Sequence, residues 1–131
     1  MNVSTLNWPA IVVAALAGFG LGGLWYSPVL FGRAWSKENG FEAYKGNAAK
    51  IYGFTAFFLV LMSFNLAMFL NDPKTTASWG ATAGFLAGLW TFSAIAVMSL
   101  FELKSWKLIF INGGYSLVSL TGMGAILGAW R

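Results

Sequence analysis

Leu108–Trp130, LIFINGGYSLVSLTGMGAILGAW, carries no formal charge and is bounded by Lys107 and Arg131. A helix rises about 1.5 Å per residue, so this run of roughly 23 residues crosses a hydrocarbon core about 30 Å thick. Three further runs repeat the device without charge: Trp8–Ser27, Ile51–Leu70 and Ala77–Phe101. The sequence therefore predicts an all-α membrane protein, with four transmembrane helices in an antiparallel bundle forming one domain over residues 1–131.

Composition supports the same solvent. Hydrophobic residues make up 58% of the 131 residues and charged residues 9%, with mean hydropathy +0.69. A soluble domain carries about 25% charged residues, and this chain has too few to solvate the outside of a compact fold. The net charge of +4 comes from basic residues that flank apolar runs. Their expected anionic partner is a lipid headgroup, not nucleic acid. There is no Cys, which excludes disulfides. The opening MNVSTLN has no Lys or Arg to form a basic leader, so the first run is expected to be a retained span.

The prolines act as punctuation. Pro9 falls in the first turn of span one, Pro28 ends that span, and Pro73 lies between spans two and three. The short links Asn71–Thr76 and Glu102–Lys107 predict antiparallel hairpins. In the longer Val29–Lys50, the residues Phe31, Ala34 and Trp35 share one helical side while Arg33 and Lys37 lie elsewhere. That pattern predicts a short interfacial helix, rings down and cations up, closed by turns at Asn39-Gly40 and Gly46-Asn47.

Basic residues set the expected orientation. Arg33, Lys37, Lys45, Lys50, Lys104 and Lys107 fall on one side, against Lys74 and Arg131 on the other. The first and third loops are expected to be cytoplasmic, both termini non-cytoplasmic, and the membrane an inner (plasma) membrane. Trp8, Trp25, Tyr26, Trp79, Trp106 and Trp130 lie near span ends, as interfacial aromatic belts do.

Packing between helices in lipid depends on small residues that let backbones approach. Gly18 and Gly22 are four apart, on a stripe with Ile11, Ala14, Ala15 and Trp25. Gly80, Gly84 and Gly88 form a second pattern. Gly124 and Gly128 form a third, with Gly113 on nearly the same side. These predict a tight bundle, with one stripe left over for a homo-oligomer. Span two, bulky and nearly free of glycine, is expected to show the most surface to lipid.

Familiar catalytic patterns fail on context. Gly18-Phe19-Gly20-Leu21-Gly22-Gly23 satisfies G-x-G-x-x-G, with Glu38 and Glu42 roughly 20 residues on, but it lies inside a spanning helix and not between a strand and a helix. With no His or Cys, and with Glu38, Glu42, Asp72 and Glu102 scattered over loops, neither a metal site nor an activated nucleophile is readable. The expectation is a non-enzyme without cofactor.

Polar residues inside the spans remain. Asn65 lies in span two, and Thr91 and Ser93 in span three. Asn112, Ser116 and Ser119 sit at i, i+4 and i+7 of span four. An unpaired amide is costly in hydrocarbon, so both asparagines are expected to face inward. They either bond helices together or line a polar track for an ion or small solute. No span holds an ionisable group other than tyrosine, which weighs against proton-coupled transport. Glu102 is expected to pair with Lys104 at the interface.

Leu24-Trp25-Tyr26-Ser27-Pro28, then Leu30-Phe31-Gly32 and Trp35, resemble the opening signature of the domain-of-unknown-function 1761 family of small, mostly bacterial membrane proteins. Phe101-Glu102, Trp106-Lys107-Leu108, Ile111-Asn112-Gly113-Gly114-Tyr115 and Met123-Gly124-Ala125-Ile126-Leu127-Gly128 are similar to its closing signature. Ser116 stands where members often carry His. The resemblance implies a four-helix inner-membrane protein and supplies no activity. It implies that Trp25, Tyr26 and Pro28 cluster with Glu102, Asn112 and Tyr115. The function expected is a structural or accessory membrane protein that self-associates; the alternative is a small channel or transporter using the polar stripe of span four.

Overall fold

The computed structural model describes residues 5–39, 48–72 and 74–130. The turns expected at Gly40 and Gly46-Asn47, Pro73, and the charges of Glu42, Lys45 and Arg131 lie outside them. The protein is all-α. Its helices are α1 (Trp8–Trp25), α2 (Gly32–Asn39), α3 (Ala48–Phe69), α4 (Ala77–Phe101) and α5 (Trp106–Ala129). The chain is a membrane protein by length and apolarity: α1, α3, α4 and α5 are each long and apolar enough to cross a bilayer.

Three of the helices, α1, α4 and α5, begin where a short polar side chain takes an orphan N–H. Asn7 Oδ1 accepts from Ala10 N at 3.1 Å, Thr76 Oγ1 from Trp79 N at 3.2 Å and Ser105 Oγ from Leu108 N at 3.1 Å. Pro9 occupies the first turn of α1, where no donor is lost. The end of α4 has no glycine, yet Leu103 adopts φ 60°. Leu103 N donates to Leu100 O at 3.1 Å and Lys104 N to Ser99 O at 2.8 Å, which closes the helix with a left-handed residue.

Helix α5 is the centre. It packs along α4 on one side and α1 on another, while α3 lies mainly against α1. Neighbours run antiparallel. Along α4 and α5, Gly80 faces Gly124 and Gly128, Gly84 faces Leu120, and Gly113 faces Phe92. A Cβ on Gly80 would strike the Gly124 carbonyl, one on Gly84 the Leu120 carbonyl, and one on Gly128 the Thr76 carbonyl. The two backbones are therefore in direct contact, gaining dispersion where lipid offers no hydrophobic drive. Gly18 and Gly22 serve α1 in the same way. Their Cβ atoms would lie 3.1 Å from Ser119 Oγ and 3.1 Å from the Tyr115 hydroxyl.

Two expectations are corrected by this arrangement. All three glycine patterns are used within the chain, so none is left over for an oligomer; it is Gly20, Gly23, Gly53 and Gly122 that face open space. And although α3 and α4 run in opposite directions, they do not pack along their length as a hairpin. The small-residue face of α4 matches α5, while α3 offers it bulky side chains. As a result α4 is as lipid-exposed as α3, with Trp90 85% and Phe101 87% exposed.

The most buried apolar core, with Ala10, Ile11, Ala14, Leu70, Met123 and Leu127, sits toward the end that holds Asn7 and Thr76. The opposite end carries α2 and exposes Arg33, Lys37, Lys50, Lys104 and Lys107 together. The first loop does contain a helix, and its rings also touch protein: Phe31, still 38% exposed, lies 4.7 Å from Trp25 and Trp35 5.1 Å from Tyr26, centroid to centroid. Among the described side chains of α2, Arg33 and Lys37 are the exposed ones.

Candidate functional site

The polar and aromatic residues converge where α1 ends and α5 begins. After Trp25 the chain reverses tightly: Phe31 N donates to Trp25 O at 3.0 Å and Gly32 N to Ser27 O at 2.8 Å. A Cβ on Gly32 would run into the Tyr26 carbonyl, so this close turn requires glycine. The reversal swings α2 back over the end of α1 and brings Trp35 onto the Tyr26 ring.

Three long-range hydrogen bonds then tie α1 to α5. Trp25 Nε1 donates to the Ile111 carbonyl at 2.9 Å, Tyr26 hydroxyl to Asn112 Oδ1 at 2.8 Å, and Tyr115 hydroxyl to the Gly18 carbonyl at 2.8 Å. The Tyr26 and Tyr115 rings meet edge to face at 5.7 Å, and Trp25 lies 6.4 Å from Tyr115. Gly114 makes room for the indole: a Cβ there would lie 3.2 Å from Trp25. Every donor on this list is the polar tip of an aromatic ring, which buries its apolar body and still satisfies its N–H or O–H.

A fourth tie links α2 to α5. Ser105 Oγ donates to Glu38 Oε2 at 2.7 Å while accepting from Leu108 N. This sets a carboxylate beside the positive end of the α5 dipole. Nothing in the local sequence marks Glu38 for this contact; Ser105, three residues before Leu108, is the signal for the cap. Ser105→Ala removes both contacts and is expected to cost roughly 1 kcal/mol of unfolding free energy. Denaturation of the purified protein in mixed micelles checks it.

Of the residues singled out in sequence, Trp25, Tyr26, Asn112 and Tyr115 come together. Ser119 lies one turn deeper, beside Met123 Sδ at 3.6 Å, and Ser116 is buried on α5. Glu102 does not join them. It is exposed and, among the described residues, makes no ion pair, because the left-handed turn at Leu103 separates it from Lys104.

Asn65 is the larger correction: its side chain faces outward. The interior position belongs to Ser63, fully buried, whose Oγ donates to the Ile11 carbonyl at 2.8 Å. Residues two apart point to nearly opposite sides of a helix, so an inward Ser63 forces an outward Asn65. Thr91 hydrogen-bonds its own helix through the Ala87 carbonyl, and Ser93 is exposed.

The chemistry on offer is neutral hydrogen bonding. Among the described residues no three Asp, Glu, His or Cys side chains gather as metal ligands would, and no buried side-chain N or O lacks a partner. A family model described as "Protein of unknown function (DUF1761)" matches residues 9–128. No curated protein and no solved structure matches the chain.

Proposed function

Because the chain belongs to the DUF1761 family over nearly its whole length, and that family carries no activity to inherit, we propose its role from its own side chains: it is a structural or accessory membrane protein. Its polar residues fasten one helix to the next, and the assembled four-helix bundle self-associates. One observation carries this reading. The Asn112 side-chain oxygen Oδ1, the best candidate to line a solute path, accepts from the Tyr26 hydroxyl at 2.8 Å and so ties α5 to the end of α1. Ser63 is likewise committed to a backbone carbonyl. A polar group that conducts exchanges partners with the solute; both of these groups make bonds between helices, which supports a fastening role.

On this reading the protein is not an enzyme and needs no cofactor, and it does not bind nucleic acid. Its partners are the bilayer and copies of itself. The five basic residues exposed at the α2 end support contact with anionic headgroups there. The same bias supports placing that end in the cytoplasm of a cell whose inner membrane the chain spans, with both termini outside.

Flux through the purified protein in liposomes tests the proposal. Fluoride, chloride, potassium, protons and small neutral solutes are expected to cross no faster than through empty liposomes. Flux that is present in the wild type and lost in Asn112→Leu would replace this reading with a channel running along α5.

A further inference from the structure

Helix α3 leaves the bundle partway along its length. Its buried stripe is Leu59, Ser63, Leu66, Ala67 and Leu70. Tyr52 and Ala56 lie seven residues before Leu59 and Ser63, so they continue that stripe toward the α2 end. A helix packed along its whole length would bury them too. Instead every residue from 49 to 58 is exposed, on the inward side as much as the outward, and Tyr52 is 53% exposed.

Register shows what stands opposite. A Cβ on Gly18 would lie 3.1 Å from Ser119 Oγ and 3.4 Å from Leu59 Cδ2, so Leu59 and Ser119 meet at one level. Helices α3 and α5 run in the same direction. Equal steps back set Ala56 level with Ser116 and Tyr52 level with Asn112. There the two helices have parted. The Tyr52 ring lies 5.9 Å from Phe19, which ties α3 to α1 at this level and not to α5. The inward side of α3 and the facing side of α5 thus bound a cleft, open sideways to lipid and toward the α2 end.

The wall contributed by α5 is polar. The Tyr26 hydroxyl occupies Asn112 Oδ1, which fixes the amide and turns its two N–H groups the other way. Neither those N–H groups nor the Ser116 hydroxyl has a hydrogen-bond partner among the described residues. No buried side-chain N or O there lacks a partner, so both groups open onto accessible surface. Asn112 lies six residues past the start of α5, about 9 Å in from the helix end. Lys37 and Lys50, two residues from Trp35 and Tyr52, are exposed at that end. Deeper than Asn112 the α3 side offers Ala56 and Leu59.

We infer that this cleft holds one anionic phospholipid of the surrounding bilayer. Its ester carbonyl accepts from the Asn112 amide, its phosphate meets Lys37 and Lys50, and an acyl chain fills the space beside Ala56. The occupant follows from the order of the chemistry with depth. Cations stand at the headgroup level, hydrogen-bond donors below them and apolar side chains below those. A phospholipid presents anion, acceptor and hydrocarbon in the same order, and it enters sideways without leaving its leaflet. An amide N–H in hydrocarbon costs free energy until an acceptor reaches it, and the ester carbonyl is the acceptor a bilayer supplies.

This inference deepens the headgroup contact in the proposed function and rests on it; its test separates the two. The full chain, released from vesicles of equal parts phosphatidylglycerol and phosphatidylcholine, should retain one phosphatidylglycerol in native mass spectrometry. Ala56→Trp, at an exposed position where folding does not depend on the side chain, fills the cleft and should abolish that retention with the denaturation midpoint unchanged. Phe54→Trp, on the outward side of α3, should retain the lipid as the wild type does. Lys37→Gln with Lys50→Gln should bring the two lipids to parity. Asn112→Asp keeps an oxygen for Tyr26 but loses the amide donors, and should weaken retention roughly three- to tenfold. Phosphatidylglycerol retained equally by Ala56→Trp would overturn the cleft site while leaving the headgroup contact standing. No lipid retained by the wild type, or both lipids retained equally, would overturn both. A wild-type dimer that Ala56→Trp turns into a monomer would give the cleft to a second copy and overturn the lipid site.

Discussion

Gly84→Leu is expected to detach α4 from α5. Its Cβ alone would occupy the place of the Leu120 carbonyl oxygen, and the rest of the side chain has nowhere to go between two backbones already touching. Overpacking a well-filled interior costs about 1–3 kcal/mol, and here the obstacle is main chain that cannot rotate aside. A loss of roughly 3 kcal/mol or more is expected, read as a lower denaturation midpoint in mixed micelles. Gly84→Ala should lose less, because alanine returns up to about 1 kcal/mol of helix propensity against the same collision. Gly122 is the control: it lies on α5 with nothing within 4 Å of a Cβ. Gly122→Leu should stay within about 1 kcal/mol of the wild type. Equal effects at the two sites would mean that the α4–α5 contact is not the close one described.

The second large effect is expected at Asn112. Asn112→Leu removes the acceptor for the Tyr26 hydroxyl and leaves a half-buried phenol O–H without a partner. That penalty runs at about 1–3 kcal/mol, against which the new leucine regains little because the site is lined by rings and helix backbone. A double-mutant cycle isolates the bond. Tyr26→Phe also deletes it, so the double mutant should be less damaged than the sum of the singles, by about 1 kcal/mol. Strict additivity would show that Tyr26 and Asn112 stabilise the protein through other contacts.

Much of this was legible in the sequence, for a physical reason: a bilayer restricts the choices. Uncharged runs of spanning length left helices as the only solution, and their number followed. Glycine spacing located the packed stripes, because small residues are what close approach in lipid requires. The signature residues Trp25, Tyr26, Asn112 and Tyr115 did converge. What the sequence left hidden was pairing. A short link says that α3 and α4 run in opposite directions, not that they touch; contact is decided by whether two surfaces fit, and the glycines of α4 fit α5. Asn65 misled for a related reason. The cost of an amide in hydrocarbon favours an inward Asn65, but Ser63, two residues away and smaller, takes the inward position. The Glu38–Ser105 tie joins residues 67 apart, about half the chain, and no local pattern reveals such a pair.

The central place of α5 has a consequence for how the protein is made. In the chain α5 follows the four helices described before it, yet α1 and α4 each find their main partner in it. Until α5 emerges from the ribosome, α1 has α3 to lean on, through Ser63 and Ile11, and the turn into α2 at its end. Through the same interval α4 presents a glycine groove with no occupant. Biogenesis therefore has an unfinished stage in which a nearly complete chain is inserted but not yet cohesive. Whatever surveys membrane proteins for unassembled helices would meet this one with that groove open.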